Sequence, residues 1–250
     1  MNMKKKLGLI GYPLSHSFSK KYFTKKFEKE NISDYEYLNF ECKNLDNFPA
    51  ILQQNPALIG LNVTMPYKEK ILQYVDVKDP TVKKIGASNT LLIQNGHITA
   101  YNTDVYAFKE SLLPLLEQQH QKALILGTGG ASKAVKYVLN ELNIEYTSVS
   151  RQAKNNGEIS YNELTKSIIS SHLLVINTTP VGSYPDIKKS PLFPYDFISP
   201  EHLFYDLIYN PLQTIFLQKA LIKGAKVSNG LKMLQLQAEK SWEIWQKKTC

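Results

Sequence analysis

Ala123-Leu-Ile-Leu-Gly-Thr-Gly-Gly-Ala-Ser132 is the segment of this chain that indicates its fold most directly. Four apolar residues lead into a turn with three glycines, and residues 133–142 then place apolar side chains at helical spacing. The pattern predicts a buried strand, a tight turn and the start of a helix. Backbone N–H groups at such a turn point outward and let a pyrophosphate approach, so a dinucleotide site is one interpretation. A plain strand–helix turn is the other.

The glycine spacing and the next predicted strand bear on which nucleotide would fit. Gly127 and Gly129 occupy the first two glycine positions of the dinucleotide fingerprint, and Ser132 stands at the third. NAD sites usually have a carboxylate at the end of the second strand, predicted over residues 144–149. Glu145 lies at the wrong end of that strand. Arg151 follows the right end, directly after Ser150, and suits a 2′-phosphate.

Composition bounds the class of protein. The chain has 250 residues, of which 43% are hydrophobic, so it suits one large or two small globular domains rather than a disordered protein. Its apolar runs are too short for a transmembrane helix or a signal peptide, and we expect a cytoplasmic protein without a membrane partner. Cys42 and Cys250 lie far apart, which favours neither a disulfide framework nor a metal site.

The net charge of +8 raises a nucleic-acid hypothesis. The lysines are scattered, carboxylates lie between many of them, and no nucleic-acid motif accompanies them. The charge pattern therefore favours a solvated basic surface, which would steer small anions toward the protein. We expect no nucleic-acid partner.

The N-terminal segment predicts a strand over residues 7–10, a turn, and a helix that ends near Glu30. Hydroxyl groups at residues 15–19 fall where the helix begins. They are either an N-cap cluster or a pocket that holds a carboxylate against the helix N-terminus. On this chemistry taken by itself, the N-cap interpretation is favoured.

A second cluster follows the strand predicted over residues 58–63. Asn62, Thr64 and Lys68 gather at its carboxyl end, where open α/β sheets bind ligands, although a lysine there is more often a surface charge. Pro66 suits the first turn of a helix that would continue to about Tyr74. Farther on, Asn95-Gly96 predicts a hairpin turn, and Asn102-Thr-Asp104 precedes another helix.

Eight segments, in this order, resemble the motifs of the shikimate dehydrogenase family. They are Gly11-Tyr-Pro-Leu-Ser-His-Ser-Phe-Ser19, Asn62-Val-Thr-Met-Pro-Tyr-Lys68, Gly86-Ala-Ser-Asn-Thr90, Asn102-Thr-Asp104, Gly127-Thr-Gly-Gly-Ala131, Ile176-Asn-Thr-Thr-Pro-Val-Gly182, Tyr205-Asp-Leu-Ile-Tyr209 and Asn229-Gly-Leu-Lys-Met-Leu-Gln-Leu-Gln237. Each segment by itself is a weak signal. Together, over nearly the whole chain, they identify it as a member of that family.

The resemblance implies an α/β fold with two domains. An N-terminal α/β substrate-binding and catalytic domain covers residues 1–104 and is completed by residues 229–250, where the C-terminal helix returns to it. A Rossmann-like NADP-binding domain covers residues 105–228. The implied activity is the reversible, NADPH-dependent reduction of 3-dehydroshikimate to shikimate, on the route to aromatic amino acids. The implied assembly is a monomer or a homodimer.

Residue roles carry over by motif position. Lys68 and Asp104 are the implied catalytic pair, and Ser17 and Ser19 hold the substrate carboxylate. Further substrate contacts are Thr64, Asn89 and Gln237 on ring hydroxyls, with Asn62 nearby and Tyr209 as an additional contact. The resemblance thus reverses the preference for a plain cap at the serines and for a plain surface charge at Lys68.

The implied cofactor is NADP. The residues implied to bind it lie in the Gly-rich turn, at the end of the second strand and after later strands: Gly127, Thr128, Gly129, Gly130, Ala131, Ser150, Arg151, Lys154, Thr178, Leu207 and Gly230. The chain departs from the family pattern near the 2′-phosphate, where Gln152 and Asn155 replace a threonine and an arginine. Other departures are Lys20, Tyr101 and Val105, which replace a proline, an aspartate and a glycine.

Three other functions remain as alternatives. A quinate dehydrogenase, or a dual quinate/shikimate dehydrogenase, could use NAD or NADP, but Arg151 and the paired serines favour shikimate. A non-catalytic nucleotide sensor would not need both Lys68 and Asp104. A basic RNA-binding protein would show salt-dependent affinity for oligonucleotides.

Overall fold

Two β-sheets organise the chain, one in each of two compact units. This computed structural model describes residues 4–14, 17–153 and 157–247. Within those residues, unit 1 runs to Thr103 and resumes at Ala238, and unit 2 is Asp104–Gln237. The α/β class predicted from the sequence is confirmed in both units.

Unit 1 contains a mixed sheet. Its strands are β1 (Lys5–Gly11), β2 (Tyr35–Glu41), β3 (Leu58–Val63), β4 (Val77–Lys78), β5 (Thr90–Gln94) and β6 (His97–Tyr101). Across the sheet the order is β2-β1-β3-β5-β6-β4. Strands β1, β2 and β3 are parallel, whereas β5 is antiparallel to both of its neighbours. Because the chain passes from β2 on one side of β1 to β3 on the other, the strand order reverses between β1 and β3.

Unit 2 contains a parallel sheet. Its strands are β7 (Lys122–Leu126), β8 (Glu145–Ser150), β9 (Glu158–Ser160), β10 (Leu174–Asn177), β11 (Leu203–Asp206) and β12 (Lys226–Ser228). The order is β12-β11-β10-β7-β8-β9, with every pair of neighbours parallel. Counted from β7, this is the 3-2-1-4-5-6 order of a dinucleotide-binding Rossmann fold, and the reversal falls between β7 and β10.

Helices connect the strands of both sheets. They are α1 (Phe18–Lys29), α2 (Phe48–Gln54), α3 (Pro80–Ile85), α4 (Thr103–Leu112), α5 (Gly130–Glu141), α6 (Lys166–Ser171), α7 (Ile215–Ile222) and α8 (Leu231–Gln246). Short 3-10 turns cover Leu45–Asn47, Lys70–Tyr74, Leu113–Leu115, Tyr161–Glu163 and Tyr195–Phe197. In the part of the chain that the structure describes, none of the helices combines the length and the apolar character that crossing a bilayer requires.

The C-terminal part of α8 packs on the sheet of unit 1. Trp245 lies so close to Gly60 that a Cβ there would sit 2.3 Å from the indole ring, so a glycine is needed in β3. The indole Nε1 donates to the carbonyl oxygen of Leu91 at 2.9 Å. The rings of Phe23 and Phe27 in α1 contact Trp245 and Trp242, with centroids 5.4 and 5.3 Å apart. Helices α1 and α8 thus share one apolar core.

Two local predictions had different outcomes. The hairpin turn is confirmed: Asn95 and Gly96 both have positive φ, 51° and 80°, as a two-residue turn between β5 and β6 requires. The prediction of a helix that starts at Pro66 is wrong. Met65 and Pro66 form a turn in which Tyr67 N donates to Thr64 O at 3.0 Å, and only a 3-10 helix follows, over Lys70–Tyr74.

The unit boundaries can be set beside the predicted domains. The first boundary falls after Thr103, one residue before the predicted one, and the second falls inside α8, after Gln237 rather than before residue 229. The beginning of α8 belongs to unit 2 because Gly230 N donates to Ile208 O at 2.9 Å. A Cβ on Gly230 would lie 2.0 Å from the carbonyl oxygen of Leu207, so this close contact requires a glycine. Which ligand each unit binds stays a prediction.

Candidate active site

In unit 2 the Gly-rich turn lies where the strand order reverses. It leaves the carboxyl end of β7 beside the end of β10, the place where open α/β sheets form a ligand crevice. Gly127 has φ of 102°, and a Cβ there would lie 2.8 Å from the methyl group of Thr179 and 2.9 Å from the hydroxyl of Thr178. Backbone conformation and close packing therefore both require glycine at this position.

The next residues of the turn face open space. A Cβ on Gly129 or Gly130 would meet no atom within 4 Å, and Gly129 is the N-cap of α5. Thr128 is exposed, and Ala131 is partly buried in the first turn of α5. Open space beside Gly129 and Gly130, at a helix N-terminus, suits a phosphate group. Ser132 bonds back to Gly129 O through both its hydroxyl (2.6 Å) and its N–H (3.0 Å), and this bonding explains how a serine fits the third fingerprint position.

The end of β8 carries the predicted 2′-phosphate residues. The Oγ of Ser150 is the one buried side-chain polar atom without a hydrogen-bond partner among the residues that the structure describes. Buried polar atoms are nearly always paired, so this hydroxyl is suited to a bound ligand. Arg151 follows it, is exposed, and is the sole arginine of the sequence. Its planar fork suits a phosphate better than a lysine would. Lys154 lies outside the described residues.

These features together fit a phosphorylated dinucleotide. The open Gly129–Gly130 surface can take a pyrophosphate, and Ser150 with Arg151 can take a further anionic group. Thr178 uses its hydroxyl within the protein, since Oγ1 donates to Leu126 O at 2.8 Å. Leu207 is held against Gly230 through its backbone.

In unit 1, the segments after β1 and β3 meet at the reversal of strand order. Thr64 N donates to Ile10 O at 3.0 Å, and Tyr12 N donates to Met65 O at 3.1 Å. A Cβ on Gly11 would lie 2.3 Å from the methyl group of Thr64, so glycine lets the two segments approach. The Thr64 hydroxyl is partly exposed and makes no hydrogen bond within the described part of the chain, which leaves it available to a ligand.

Ser17 and Ser19, the serines predicted to hold the substrate carboxylate, lie at the start of α1. Ser17 is the N-cap, and its hydroxyl accepts from Lys20 N at a long 3.5 Å. The N-cap interpretation is therefore confirmed as geometry, and the Ser17 hydroxyl can still donate its own proton. Ser19 is buried and hydrogen-bonded to the hydroxyl of Tyr37, which lies on β2. Burial raises the pKa of Tyr37, so this phenol stays protonated and donates to Asn62 Oδ1 at 2.8 Å.

Asn62 and Asn89 lie in a cluster of buried polar side chains. Its members are Asn62, Asn89, Thr90, Thr103 and Ser241, each at most 3% exposed. The amide nitrogen of Asn62 donates to Ser241 Oγ (2.9 Å), Thr90 Oγ1 (3.2 Å) and Asn89 O (3.3 Å). Asn62 is thus engaged on all sides by the protein. We refer to these five residues as the hydroxyl–amide cluster.

Lys68 and Asp104 are each one residue away from this cluster, Lys68 through a backbone hydrogen bond to Ser88 and Asp104 as the residue after Thr103. Lys68 O accepts from Ser88 N at 2.7 Å, next to Asn89. Thr103 N donates to the side-chain oxygen of Asn89 at 2.7 Å, and Asp104 is the next residue, in the first turn of α4. The helix N-terminus favours the charged carboxylate there.

Two further predicted substrate residues belong to unit 2. Tyr209 is partly buried, and burial raises the pKa of its phenol. Gln237 is buried on α8, where its Nε2 donates to Leu234 O at 3.1 Å. Unit 1 therefore brings together Asn62, Thr64, Lys68 and Asn89 near the carboxyl end of β3, whereas Asp104, Tyr209 and Gln237 lie in unit 2.

The sequence interpretation missed Tyr37, Thr90, Thr103 and Ser241 as parts of the site. Thr90 and Thr103 are the immediate neighbours of Asn89 and Asp104, and Ser241 is one helical turn beyond Gln237 on α8. That i, i+4 spacing places Gln237 and Ser241 on one helix face and is the signal that could have found Ser241. Tyr37 has no local signal, since it is one aromatic residue in an alternating strand.

A family model, curated relatives and solved structures that match this chain all point to one family. The family model for the shikimate dehydrogenase substrate-binding domain matches residues 9–91. The NADP(+) shikimate dehydrogenase of Methanococcus vannielii is 37% identical over 260 residues, which cover 96% of this chain and 90% of that protein.

Solved structures agree with this match. Shikimate dehydrogenase 1 of Peptoclostridium difficile superposes with a TM-score of 0.84 at 37% identity, over 98% of this chain and 93% of that one. The Thermus thermophilus enzyme, solved with NADP(H) and shikimate, gives 0.85 at 30% identity, over 96% and 93% of the two chains. The resemblance inferred from eight sequence motifs is confirmed by these matches. On this evidence the chain belongs to the shikimate dehydrogenase family.

Proposed function

We propose that this protein is an NADP-dependent shikimate dehydrogenase, which reversibly reduces 3-dehydroshikimate to shikimate on the route to aromatic amino acids. The observation that carries the proposal is 37% identity to an NADP(+) shikimate dehydrogenase over 96% of the chain. The quinate or dual-specificity alternative is not favoured, because the relatives cited above at 30–37% identity over nearly the whole chain are shikimate dehydrogenases.

Lys68 and Asp104 are the proposed catalytic pair. Bound NADPH supplies a hydride to the carbonyl carbon, and the carbonyl oxygen needs a proton in the same reaction. The Lys68 ammonium donates that proton, and in the direction of shikimate oxidation the neutral amine accepts it. Asp104 orients the lysine and accepts a hydrogen bond from a substrate hydroxyl. Its position in the first turn of α4 supports this role, since the helix N-terminus stabilises the carboxylate.

Ser17 and Ser19 are proposed to bind the substrate carboxylate at the N-terminus of α1. Hydroxyl donors and the helix dipole both favour an anion there. Thr64, Asn89 and Gln237 are proposed to bind ring hydroxyls, with Tyr209 as an additional contact. For Asn62 we propose a supporting role, because Tyr37, Thr90 and Ser241 already engage its amide.

The cofactor would be held by unit 2. Gly127, Thr128, Gly129, Gly130 and Ala131 form the proposed pyrophosphate turn. Ser150 and Arg151 are proposed to bind the 2′-phosphate, with Lys154 from the segment outside the described residues. Thr178, Leu207 and Gly230 complete the proposed set and act mainly through backbone placement.

A spectrophotometric assay tests the function. The purified chain is mixed with shikimate or quinate and with NADP or NAD, and the absorbance of the reduced nicotinamide is followed. We expect turnover with shikimate and NADP to exceed every other combination. Higher kcat/KM with quinate, or with NAD, would replace the proposal by the corresponding alternative. Absence of turnover from a folded protein that still binds NADP would favour the sensor.

Two expectations complete the proposal. The protein would act in the cytoplasm, and it would be a monomer or a homodimer. Sedimentation equilibrium of the purified chain distinguishes those two assemblies, and a larger assembly would contradict the expectation.

A further inference from the structure

A continuous path of buried hydrogen bonds runs through unit 1 between two groups proposed to bind the substrate. It starts at Ser19, which is hydrogen-bonded to Tyr37, and Tyr37 donates to Asn62. Asn62 donates to Thr90 and Ser241, whose hydroxyls are 2.9 Å apart. From there the path reaches Thr103 and Asn89. The residues come from α1, β2, β3, β5, α4 and α8 and are far apart in sequence.

At the far end of this path, the donor and acceptor atoms of the Asn89 side chain can be assigned. Thr103 N is a backbone donor, so the atom of Asn89 that faces it at 2.7 Å is the side-chain oxygen. The amide nitrogen of Asn89 is then assigned as well, and it donates one proton to Thr103 Oγ1 at 3.0 Å, while the same hydroxyl lies 3.2 Å from Asn89 Oδ1. Its second N–H has no partner among the described residues. Asn89 is therefore fixed as a hydrogen-bond donor to a ligand oxygen.

The hydroxyls of Thr90 and Ser241 hold that arrangement. Thr90 Oγ1 lies 3.3 Å from Asn89 Oδ1 and 3.3 Å from Thr103 Oγ1, and Ser241 Oγ lies 3.4 Å from Thr103 Oγ1. Both side chains are fully buried. Loss of either hydroxyl would leave neighbouring donors unpaired and let the amide of Asn89 turn or shift.

We propose that Thr90 and Ser241 are positioning residues for the substrate: their paired hydroxyls orient Asn89 toward a ring hydroxyl without touching the substrate. The proposal rests on the proposed function, since it concerns recognition of shikimate. It also assigns a task to the C-terminal helix, because the hydroxyl of Ser241 on α8 is hydrogen-bonded to both Asn62 and Thr90.

Two variants of Thr90 separate hydrogen bonding from packing. Thr90→Val keeps the shape and removes the hydroxyl, whereas Thr90→Ser keeps the hydroxyl and removes a methyl group. We expect Thr90→Val to raise the KM for shikimate by about threefold to thirtyfold, the range that corresponds to one lost buried hydrogen bond. The KM for NADP should stay within about twofold of wild type, and Thr90→Ser should behave like wild type. An impaired Ser variant beside a normal Val variant would overturn the proposal.

Ser241→Ala tests the other member of the pair. Its effect on the shikimate KM should resemble that of Thr90→Val, and the double variant should lose less than the product of the two single effects, because both remove one shared interaction. Ser111→Ala is the matched control. Ser111 is also a buried helical serine, bonded to Tyr205 at 2.7 Å in unit 2. The Ser111→Ala variant should lower the melting temperature about as much as Ser241→Ala does, and it should leave the shikimate KM unchanged.

Calorimetric titration with shikimate supplies a readout that does not depend on turnover. If Ser241→Ala and Ser111→Ala lose the same thermal stability and both bind shikimate like wild type, Ser241 is structural and the proposal is wrong. If wild-type protein itself neither binds nor oxidises shikimate, the proposed function has failed instead, and the two failures are distinguishable.

Discussion

The two units bury different kinds of hydrogen-bonded polar group beside their sheets. In unit 1 the hydroxyl–amide cluster consists of neutral side chains. In unit 2 the corresponding group is the carboxyl of Asp206, at the end of β11. It accepts hydrogen bonds from Asn177 Nδ2 (3.0 Å), Ile208 N (3.0 Å) and Thr214 Oγ1 (2.6 Å). Asn177 in turn binds the N–H and hydroxyl of Thr179, whose methyl group packs beside Gly127.

The difference shows how each kind of group suits its task. A carboxylate only accepts, so Asp206 can gather three donors from three segments into one fixed scaffold behind the Gly-rich turn. Burial raises its pKa to about 6, even though these hydrogen bonds lower it. Hydroxyls and amides carry no charge to bury, and each can both donate and accept. The cluster of unit 1 can therefore fix a donor toward an uncharged ring hydroxyl without a pH-dependent penalty.

The largest expected effect tests whether catalysis depends on unit 1. Lys68→Ala should lower kcat by about 10²–10⁴, the usual range for a general acid–base group, with a much smaller change in the shikimate KM. Steady-state kinetics with NADP and with NAD should show the same loss. Lys70→Ala, an exposed lysine of the following 3-10 helix, serves as control and should leave turnover unchanged. Normal turnover of a folded Lys68→Ala protein would remove Lys68 from the mechanism.

The second prediction concerns the buried carboxyl of unit 2. Because the folded-state pKa of Asp206 is raised from 3.8 to about 6, the folded protein binds its proton more tightly than the unfolded chain. Stability from this group is therefore present below about pH 4 and is lost as pH rises to about 6, by about 3 kcal/mol or a hundredfold in the folding equilibrium. Asp206→Asn should remove that decline in urea-unfolding free energies.

An exposed carboxylate provides the control for this titration. Asp196→Asn removes a surface ion pair with Lys223, and hydrogen bonding to that lysine lowers the pKa of Asp196. The Asp196→Asn variant should keep the wild-type decline of stability between about pH 4 and pH 6. If Asp206→Asn shows the same decline as wild type, the carboxyl of Asp206 is not the source.

The third prediction tests whether cofactor choice depends on unit 2. Arg151→Ala should raise the KM for NADP by about tenfold to a hundredfold and leave the KM for NAD nearly unchanged, since a charge-assisted contact with the 2′-phosphate is lost. Arg151→Lys keeps the charge without the planar fork, so its KM for NADP should lie between those of wild type and Arg151→Ala. Equal losses with NADP and NAD would make Arg151 structural.

The smallest effect is expected at Ser150. Its Oγ is buried without a partner among the described residues, so Ser150→Ala should leave the melting temperature unchanged or raise it. If the hydroxyl meets the cofactor, NADP affinity should fall by about twofold to tenfold at the same time. Fluorescence titration with NADPH and a thermal melt measure the two effects. Unchanged affinity would exclude Ser150 from the cofactor site.

Local patterns in the sequence determined much of this protein. Four apolar residues and a glycine turn predicted β7 and α5, Asn95-Gly96 predicted a hairpin, and eight ordered motifs predicted the family. These features depend on neighbouring residues, whose backbone preferences are expressed wherever the segment lies. The predicted end of the strand over residues 144–149 likewise placed Arg151 just beyond β8. The same local reasoning was wrong at Pro66, where the segment forms a turn and its backbone is hydrogen-bonded to Ile10 and Tyr12.

Only the tertiary structure decided which distant residues meet. Asn62 and Ser241 are 179 positions apart, and no pattern along the chain shows that an amide of β3 and a hydroxyl of α8 lie 2.9 Å from each other. The raised pKa of Asp206 likewise comes from burial by segments that fold around it, because an isolated Tyr-Asp-Leu sequence carries no such environment. Long-range contacts and burial depend on topology, and topology is a property of the whole packed chain.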